Sequence, residues 1–412
     1  MNEKSINWLL FFINPFISMI LSFINYTKPY AKNIFWAFCI FYGFTFAIGK
    51  ESTGSDINRY IEQLHFFYEN YDFTISELIV FFKESGEIDV FNLIITYFLS
   101  KFTNTQEVLT MVYAIFFGFF YSRNIWYVLG FLEGKLDILL KILLVALVLI
   151  VPIWYINGIR MYLAFHVFFY GLLSFIIENK KSKLFFLYIS FLIHFSYLIP
   201  IIIFLMYRAF GNRLNIYFFI FIISLFVSQL NINALNSNLE KFVPQRINER
   251  TEAYRAESSI EAKNIKRNSN NKRWYLKWHG IAIRWSLYIV LTYLYLFGNQ
   301  LIKKSLVWQK LLSFSLIFFS LSNVLMNLPS GGRFFVFAYF LILILGIKYL
   351  YENYQDLKFR NLITFLTPAF LLFIIVSIRM GFYTFSLTTL IGNPLIAILS
   401  TGNNISLNDL IK

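Results

Sequence analysis

Arg160 and His194 are a charged and a titratable side chain beside apolar segments that are long enough to cross a membrane. Arg160 lies at the start of the apolar segment 159–177, and His194 lies inside the apolar segment 184–207. A charged group in hydrocarbon costs about 2.5–3.5 kcal/mol on insertion scales, so chains keep such groups where they pair, line a watery cavity or take part in chemistry. These two residues are therefore the first candidates for a functional site.

Further candidates lie at the ends of other apolar segments, in the run 49–60 and after the run 330–332. They are Lys50, Asp56, Arg59, Tyr60 and Arg333. Guanidinium groups match phosphate oxygens bidentately, histidine titrates near neutral pH, and a carboxylate can deprotonate a hydroxyl or hold a histidine in one tautomer. Together with Arg160 and His194, the set fits a site that grips a diphosphate and moves one proton.

Each of these residues also has a purely structural explanation. Arg160 could extend along the apolar surface to lipid headgroups, and His194 could hydrogen-bond a carbonyl group in a bent helix. Asp56 follows Gly54-Ser55 and would serve as a helix cap, and Arg333 could belong to a turn before a helix. The sequence leaves both explanations open for each residue.

Several common motifs are absent from the sequence. There is no Gly-Lys-Ser/Thr phosphate loop, no Asp-x-Asp motif and no nucleophile elbow, which disfavours an NTP-driven pump and a metal-dependent sugar-nucleotide transferase. His65, His166 and His279 lack metal-ligand spacing, and a single cysteine, Cys39, excludes an internal disulfide and a cysteine metal cluster. We expect neither a metal nor another cofactor.

The composition is that of a polytopic helical membrane protein. Of 412 residues, 58% are hydrophobic and 21% aromatic, and the mean hydropathy is +0.61, whereas soluble domains are roughly 45–50% apolar. Backbone groups in lipid must be paired internally, so we predict an all-α fold. The net charge of +14 comes from Lys and Arg that flank the apolar segments, which indicates contact with anionic headgroups and not nucleic acid.

The apolar pattern predicts a single membrane-embedded domain over 1–412, with about ten transmembrane helices. The full-length segments are 6–24, 33–49, 107–122, 137–155, 159–177, 214–233, 280–300, 306–326, 333–351 and 361–378. The segments 184–207 and 383–400 are ambiguous. The region 50–106 is predicted as an outer loop with a half-inserted helix over 88–102, and 234–279 as a long, charged outer loop.

Orientation follows from basic residues in short loops. Lys28 and Lys32 mark one cytoplasmic loop, and the lysines at 180, 181 and 183 mark another. This places the N-terminus, the region 50–106 and the turn before Arg160 outside. His194 reaches the same side if 184–207 forms a re-entrant hairpin, which we favour. The ten basic residues of 234–279 would then lie outside, which argues against the hairpin.

The order of three short motifs resembles that of a known family. These motifs are Gly54-Ser55-Asp56 followed by Tyr60, Ile159-Arg160 followed by Leu163-Ala164, and His194-Phe195-Ser196 followed by Pro200. From about residue 6 to 380, the chain resembles the EpsG-like group of bacterial polysaccharide polymerases, which belongs with the Wzy-type O-antigen and capsule polymerases. Typical members have an Arg-Gln or similar pair where this chain has Arg160-Met161, so the resemblance carries over only to the arginine.

The resemblance implies a multi-pass enzyme of the bacterial inner (cytoplasmic) membrane. Such proteins join undecaprenyl-diphosphate-linked oligosaccharide repeat units at the outer face, for lipopolysaccharide, capsule or exopolysaccharide biosynthesis, without a nucleotide or a metal. The resemblance also implies a chain-length regulator protein as a partner. Under this hypothesis Arg160 and Arg333 bind the diphosphate. Either His194 or Asp56 accepts the proton of the acceptor hydroxyl, and the other of these two residues orients the proton acceptor. Arg59, Lys50 and Tyr60 position the substrate.

Three other functions remain open from the sequence. An O-antigen ligase shares the lipid donor but transfers the chain to a lipid A core. A polysaccharide flippase or other transporter would be expected to show internal repeats and polar groups near the midplane, and the sequence has neither. A membrane acyltransferase would place a histidine inside an apolar segment, but the excess of arginine fits a diphosphate better.

Overall fold

The computed structural model describes residues 2–48, 56–84, 89–134, 136–227, 273–298, 302, 304–326 and 331–411. Of the loop predicted over 234–279, residues 234–272 lie outside the described residues, as does Lys50.

Contacts divide the chain into two compact units. The first contains Met1–Leu136, Val151–Ile201 and Ser377–Lys412, and the second contains Asp137–Ile150 and Ile202–Val376.

The first unit is built from α-helices that pack along one another in pairs. Its helices are α1 (Glu3–Ile13), α2 (Pro15–Ile24), α3 (Ala31–Phe44), α4 (Asp56–Glu69), α5 (Ile75–Glu84), α6 (Val90–Ser100), α7 (Gln106–Leu129), α9 (Ile159–Glu178), α10 (Leu184–Ile193), α17 (Leu387–Ile391), α18 (Pro394–Leu399) and α19 (Leu407–Ile411). Helix α3 packs along α7, α7 along α9, and α9 along α10, while α4 packs on α6.

The second unit is also helical. Its helices are α8 (Ile138–Val148), α12 (Leu214–Val227), α13 (Trp274–Leu296), α14 (Leu306–Leu325), α15 (Phe335–Glu352) and α16 (Leu357–Gly381), of which α16 ends in the first unit. Helix α15 contacts α8, α13 and α14, and α14 also packs along α12. Most side chains of α15 are buried, so this helix is the centre of the unit.

The all-α prediction is confirmed for the described residues, which form helices and no strand. The predicted number of about ten transmembrane helices is not confirmed. Four stretches of the described chain are long and apolar enough to cross a membrane: Gln106–Leu129, Ile138–Glu178, Gly331–Glu352 and Leu357–Gly381. Four further apolar helices of the described chain have only 10–17 residues.

The first apolar segment, 6–24, forms two short helices in place of the predicted single span. The hydroxyl of Ser18 donates a hydrogen bond to the carbonyl oxygen of Asn7 at 3.1 Å, and Nζ of Lys28 lies 2.9 Å from Oε2 of Glu3. Helices α1 and α2 therefore pack antiparallel as a hairpin, and each is only about 15 Å long at 1.5 Å per residue. The N-terminus thus lies at the same end as the loop 25–30, which corrects the prediction that the two face opposite sides.

The sequence Asn14-Pro15 explains this break. A proline disfavours the α conformation in the residue before it, and Asn14 has an extended backbone with φ −150° and ψ 99°. Its side-chain oxygen accepts the N–H of Ile17 at 2.9 Å, and Pro15 occupies the first helical position, where no N–H is needed. The same two residues that end α1 therefore begin α2.

The chain after α16 does not form a further span. The ambiguous segment 383–400 gives the short helices α17 and α18, which pack on the first unit. The hydroxyls of Tyr42 and Thr384 share a hydrogen bond of 2.8 Å, and those of Thr45 and Thr389 share one of 2.7 Å. Polar contacts thus fix the C-terminal segment to the end of α3.

The segment 184–207 is broken at His194, the position where the sequence predicts a turn. Helix α10 ends at Ile193, His194 is extended with φ −151° and ψ 118°, and a 3₁₀ turn over Phe195–Tyr197 precedes α11 (Leu198–Phe210). The hydroxyl of Tyr197 donates to the carbonyl oxygen of Met161 at 2.7 Å. The break therefore lies against the first turn of α9, whereas the predicted return of the chain to the same membrane face stays a prediction.

Candidate functional site

A buried carboxylate, Asp89, lies at the centre of the candidate site. Asp89 occupies the N-cap position of α6, with φ −83° and ψ 116°, yet its side chain makes no capping hydrogen bond to that helix. Aspartate at this position ordinarily accepts an N–H of its own first turn. Its side chain is 1% exposed, so its oxygens are satisfied by groups from other helices.

His194 provides the first of these groups. Nδ1 of His194 lies 2.8 Å from Oδ2 of Asp89, and the N–H of Phe195 donates to Oδ1 at 2.8 Å. Because an ionised carboxylate only accepts hydrogen bonds, Nδ1 carries the proton. Nε2 has no hydrogen-bond partner among the described residues, so the nitrogen remote from Asp89 is free to accept a proton.

Arg160 provides the second group. Its Nη1 lies 3.1 Å from the same Oδ2 of Asp89, and its side chain is 16% exposed. Nε of Arg160 donates to the hydroxyl of Tyr60 at 2.7 Å, and the guanidinium carbon lies 5.4 Å from the centre of the Tyr60 ring, which adds a cation–π contact. Within the described chain Nη2 has no partner, so one end of the guanidinium can bind a ligand.

The charges of this cluster are complementary. Asp89 precedes α6 and lies outside the four long apolar stretches. Burial favours its neutral form, but the hydrogen bond and charge of His194, the charge of Arg160 and the N–H of Phe195 together hold the pKa of Asp89 below its ordinary value. A buried charge is stable only when it is paired and hydrogen-bonded, and Asp89 meets both conditions.

Polar contacts between α4, α6 and α7 hold the cluster in place. The side-chain oxygen of Gln63 in α4 accepts from Nδ2 of Asn92 at 2.7 Å and from the hydroxyl of Thr96 at 3.1 Å, both in α6. The hydroxyl of Tyr113 in α7 donates to Asn92, and its ring lies edge-on to that of Tyr60. The helices that carry Tyr60 and Asp89 are therefore tied to each other.

Two buried polar atoms beside the cluster have no hydrogen-bond partner among the described residues. They are Oδ1 of Asn157, three residues before Arg160, and Oγ of Ser196, two residues after His194. Because buried polar atoms are nearly always hydrogen-bonded, these two are candidates to contact a polar ligand. Neither was singled out from the sequence, although Ser196 lies in the motif that carries His194 and Asn157 lies two residues before the motif that carries Arg160.

The structure brings together three of the sequence candidates, since Asp89 contacts both Arg160 and His194, and Arg160 contacts Tyr60. Asp56 and Arg59 form an ion pair with each other on the first turn of α4, with side chains 40% and 62% exposed, and Asp56 also acts electrostatically on Arg160. The carboxylate in contact with His194 is therefore Asp89, whereas the sequence assigned that position to Asp56. Lys50 lies outside the described residues.

The structural explanations that the sequence left open for Arg160 and His194 do not match the contacts. Arg160 is in a buried ion pair, whereas an arginine that reaches to lipid headgroups would be exposed. Nδ1 of His194 contacts a carboxylate, not the carbonyl group of a bent helix. Both side chains thus belong to a buried polar cluster.

Arg333 belongs to the second unit, where it lies exposed in a 3₁₀ turn, Gly331–Phe334. A Cβ atom on Gly331 would lie 1.7 Å from the carbonyl oxygen of Leu325, so only glycine fits this turn. Close by, the guanidinium of Arg284 lies 5.1 Å above the ring of Phe335, and its Nη1 donates to Sδ of Met326 at 2.9 Å. Arg284, which we did not select from the sequence, therefore lies at the same end of the unit as Arg333.

The sequence contained a signal for Asp89 that was not used. Asp89 is the last of nine acids in the region 51–89, and it is the second residue of the short segment 88–102 that we predicted as half-inserted. An aspartate at the mouth of such a segment has the same unusual placement as Arg160.

No three His, Cys, Asp or Glu side chains of the described chain are grouped so as to hold a metal ion.

The fold and the site define a helical integral membrane protein with a buried Asp–His–Arg cluster. The chain belongs to the EpsG family, whose family model matches residues 34–389. This is a family of Wzy-like polysaccharide polymerases, so the resemblance seen in the motifs is confirmed over most of the chain. No curated protein and no solved structure matches the chain. The protein is thus a membrane protein of polysaccharide biosynthesis.

Proposed function

We propose that this protein polymerises undecaprenyl-diphosphate-linked oligosaccharide repeat units into a surface polysaccharide, by glycosyl transfer at the outer face of the inner membrane. Membership of the EpsG family supports the reaction class. The observation that carries the proposal is the sharing of one buried Asp89 oxygen between Nδ1 of His194 and Nη1 of Arg160. This arrangement joins a proton acceptor to an anion-binding group. Transfer of a glycan from a lipid diphosphate requires both.

In the proposed reaction, His194 is the general base. Nε2 takes the proton of a sugar hydroxyl on the acceptor unit, and that oxygen forms a bond to the anomeric carbon of the donor chain. The bond between this carbon and the diphosphate oxygen breaks, and the diphosphate leaves with the electron pair. Asp89 holds the imidazole in the tautomer with a free Nε2 and stabilises the imidazolium that forms, as a carboxylate does in other base-and-orienter pairs.

Arg160 is proposed to stabilise the departing diphosphate. Its Nη2 faces no described protein partner, and a guanidinium aimed at developing phosphate charge in a dry site stabilises the transition state more than the ground state. Arg333 is proposed to bind substrate on the ground of the family resemblance alone. Tyr60, which holds Nε of Arg160, would act with Arg59 and Lys50 in positioning the substrate.

Asp56 retains an alternative role in this proposal. It is partly exposed and paired with Arg59, so it could contact a substrate hydroxyl directly instead of orienting His194.

Grooves between apolar helices would hold the polyprenyl chains, and membrane lipids and a chain-length regulator protein are the proposed partners.

The polysaccharide of a deletion strain tests this function. Loss of a polymerase leaves single repeat units on the surface, while loss of a ligase leaves none. We expect single units in the deletion strain, a restored ladder with the wild-type protein, and single units again with Arg160→Ala or His194→Ala. A surface that lacks even single units would assign the protein to ligation, and a full ladder with both variants would remove the proposed site.

A further inference from the structure

A polar cavity lies at the other end of α9 from Arg160. Its volume is about 490 Å³, and its polar lining includes Lys32, Arg123, Lys180 and Lys183, together with the aromatic rings of Trp126, Tyr127 and Tyr170. All of these residues belong to the first unit. Eighteen residues of α9 separate Arg160 from Glu178 at the cavity, or roughly 27 Å at 1.5 Å per residue, so the cavity is not part of the Asp89 cluster.

Arg123 is the unusual member of this cavity because it projects from the apolar helix α7. Its guanidinium carbon lies 4.1 Å from the ring centre of Phe119 and 4.9 Å from that of Trp36. Nη2 donates to Oδ1 of Asn33 at 2.9 Å and Nη1 to Oγ of Ser122 at 2.8 Å. Both acceptors are neutral, and the described chain places no carboxylate within ion-pair distance of Arg123. Its charge is therefore held in a fixed position without being neutralised.

The lysines around Arg123 add to this uncompensated charge. Nζ of Lys183 donates to the hydroxyl of Tyr170 at 3.2 Å and lies 5.1 Å above that ring. Lys180 is paired with Glu178 at 3.0 Å, and Glu178 is the only acid among the lining residues. Four cations less one carboxylate leave a net charge of +3 around the cavity, which is thus suited to an anion.

We propose that this cavity binds the phosphate group of an anionic phospholipid, with Arg123 and Lys183 as its main contacts. Guanidinium and ammonium groups bind phosphate oxygens through charge-assisted hydrogen bonds. Tryptophan and tyrosine side chains are typical of the membrane–water interface, and basic pockets between helices on the cytoplasmic side bind lipid headgroups. Lys32, Lys180 and Lys183 lie in the loops that the sequence assigns to the cytoplasm, so the lipid comes from the inner leaflet.

Binding of phosphatidylglycerol to the full-length protein in detergent tests this site. The melting temperature is measured during titration with phosphatidylglycerol, with phosphatidylcholine as a neutral lipid and with inorganic phosphate as a free anion. A ligand that binds only the folded state raises the melting temperature with concentration, so the titration gives an apparent affinity. We expect a rise with phosphatidylglycerol and a much smaller one with either of the other two.

Three variants locate the binding. Arg123→Gln and Lys183→Gln are each expected to weaken the apparent affinity for phosphatidylglycerol about fivefold, the scale of one basic contact with an anionic headgroup. Lys181→Gln is the matched control, because Lys181 is exposed in the same loop but does not line the cavity. Lys183 lies outside α7, so its variant reports on the site even if Arg123→Gln fails to fold. Equal affinities in all variants, an equal loss with Lys181→Gln, or an equal stabilisation by phosphate or phosphatidylcholine would overturn the proposal.

Discussion

Oδ2 of Asp89 lies 2.8 Å from Nδ1 of His194, although 105 residues separate the two in the chain. The same oxygen lies 3.1 Å from Nη1 of Arg160. A single buried carboxylate therefore sets the tautomer of the histidine and the orientation of the arginine.

Asp89→Asn is expected to destabilise the protein by about 3–5 kcal/mol, because it leaves the charge of Arg160 buried without its partner. The free energy of unfolding is measured by denaturant titration in detergent. Asp72→Asn is the control, since Asp72 is exposed and should change stability by less than about 0.5 kcal/mol. Equal stabilities of the two variants would contradict the buried pair.

The stability of the protein should fall with acid in a way that depends on Asp89. The pKa of Asp89 is lowered by folding, against the effect of burial, by His194, Arg160 and the N–H of Phe195. A lowered pKa contributes stability that is complete above the unfolded value of about 3.9 and is lost as the pH falls through the folded value. Denaturation at a series of pH values from 6 downward should show this loss in the wild type and a smaller loss in Asp89→Asn. Parallel curves of stability against pH for the wild type and Asp89→Asn would argue against this role of Asp89.

Arg160→Lys is expected to lower the polymerisation rate about 10²–10³-fold, the cost of removing one positioned donor from a developing anion. A lysine keeps the charge but cannot contact Asp89, Tyr60 and a diphosphate at once. The rate of glycan-ladder formation by purified protein measures the effect. Arg213→Lys, at an exposed arginine whose Nε contacts only the carbonyl oxygen of Phe210 in the described chain, should leave the rate unchanged. Normal polymerisation by Arg160→Lys would exclude the bidentate role.

The hairpin of α1 and α2 predicts that residues 3 and 28 face the same side of the membrane. Cys39 is the only cysteine of the chain, so a Cys39→Ala background carries no native thiol. Glu3→Cys and Lys28→Cys introduced together should be joined by a short bifunctional thiol reagent, because the ends of the two native side chains are in contact at 2.9 Å and the Cα atoms of such long side chains lie too far apart for a direct disulfide. The pair Glu3→Cys with Asn14→Cys, at opposite ends of α1, should not. Failure of the first pair to cross-link would restore the single span.

The sequence predicted part of the site because unusual residues in apolar segments can be recognised one at a time. Arg160 and His194 stood out for this reason, and Tyr60 followed from its motif. Asp89 did not, because its function depends on contacts with residues that are 71 and 105 positions away, and a single sequence does not show which segments pack together. The break at Asn14 was missed for a different reason. Hydropathy averages over about 20 residues, so it does not register a proline that divides an apolar run.

Glycan polymerisation by the purified protein tests whether His194 and Asp89 act in glycosyl transfer. Wild-type protein in proteoliposomes is given an undecaprenyl-diphosphate-linked repeat unit, and the products are separated by length, alongside His194→Gln, Asp89→Asn and the control Asp72→Asn. We expect a ladder from the wild type and from Asp72→Asn, and a rate lower by about 10²–10⁴ for His194→Gln and Asp89→Asn, the scale of general-base catalysis. A ladder formed at the wild-type rate by His194→Gln, or no ladder from folded wild-type protein, would contradict it.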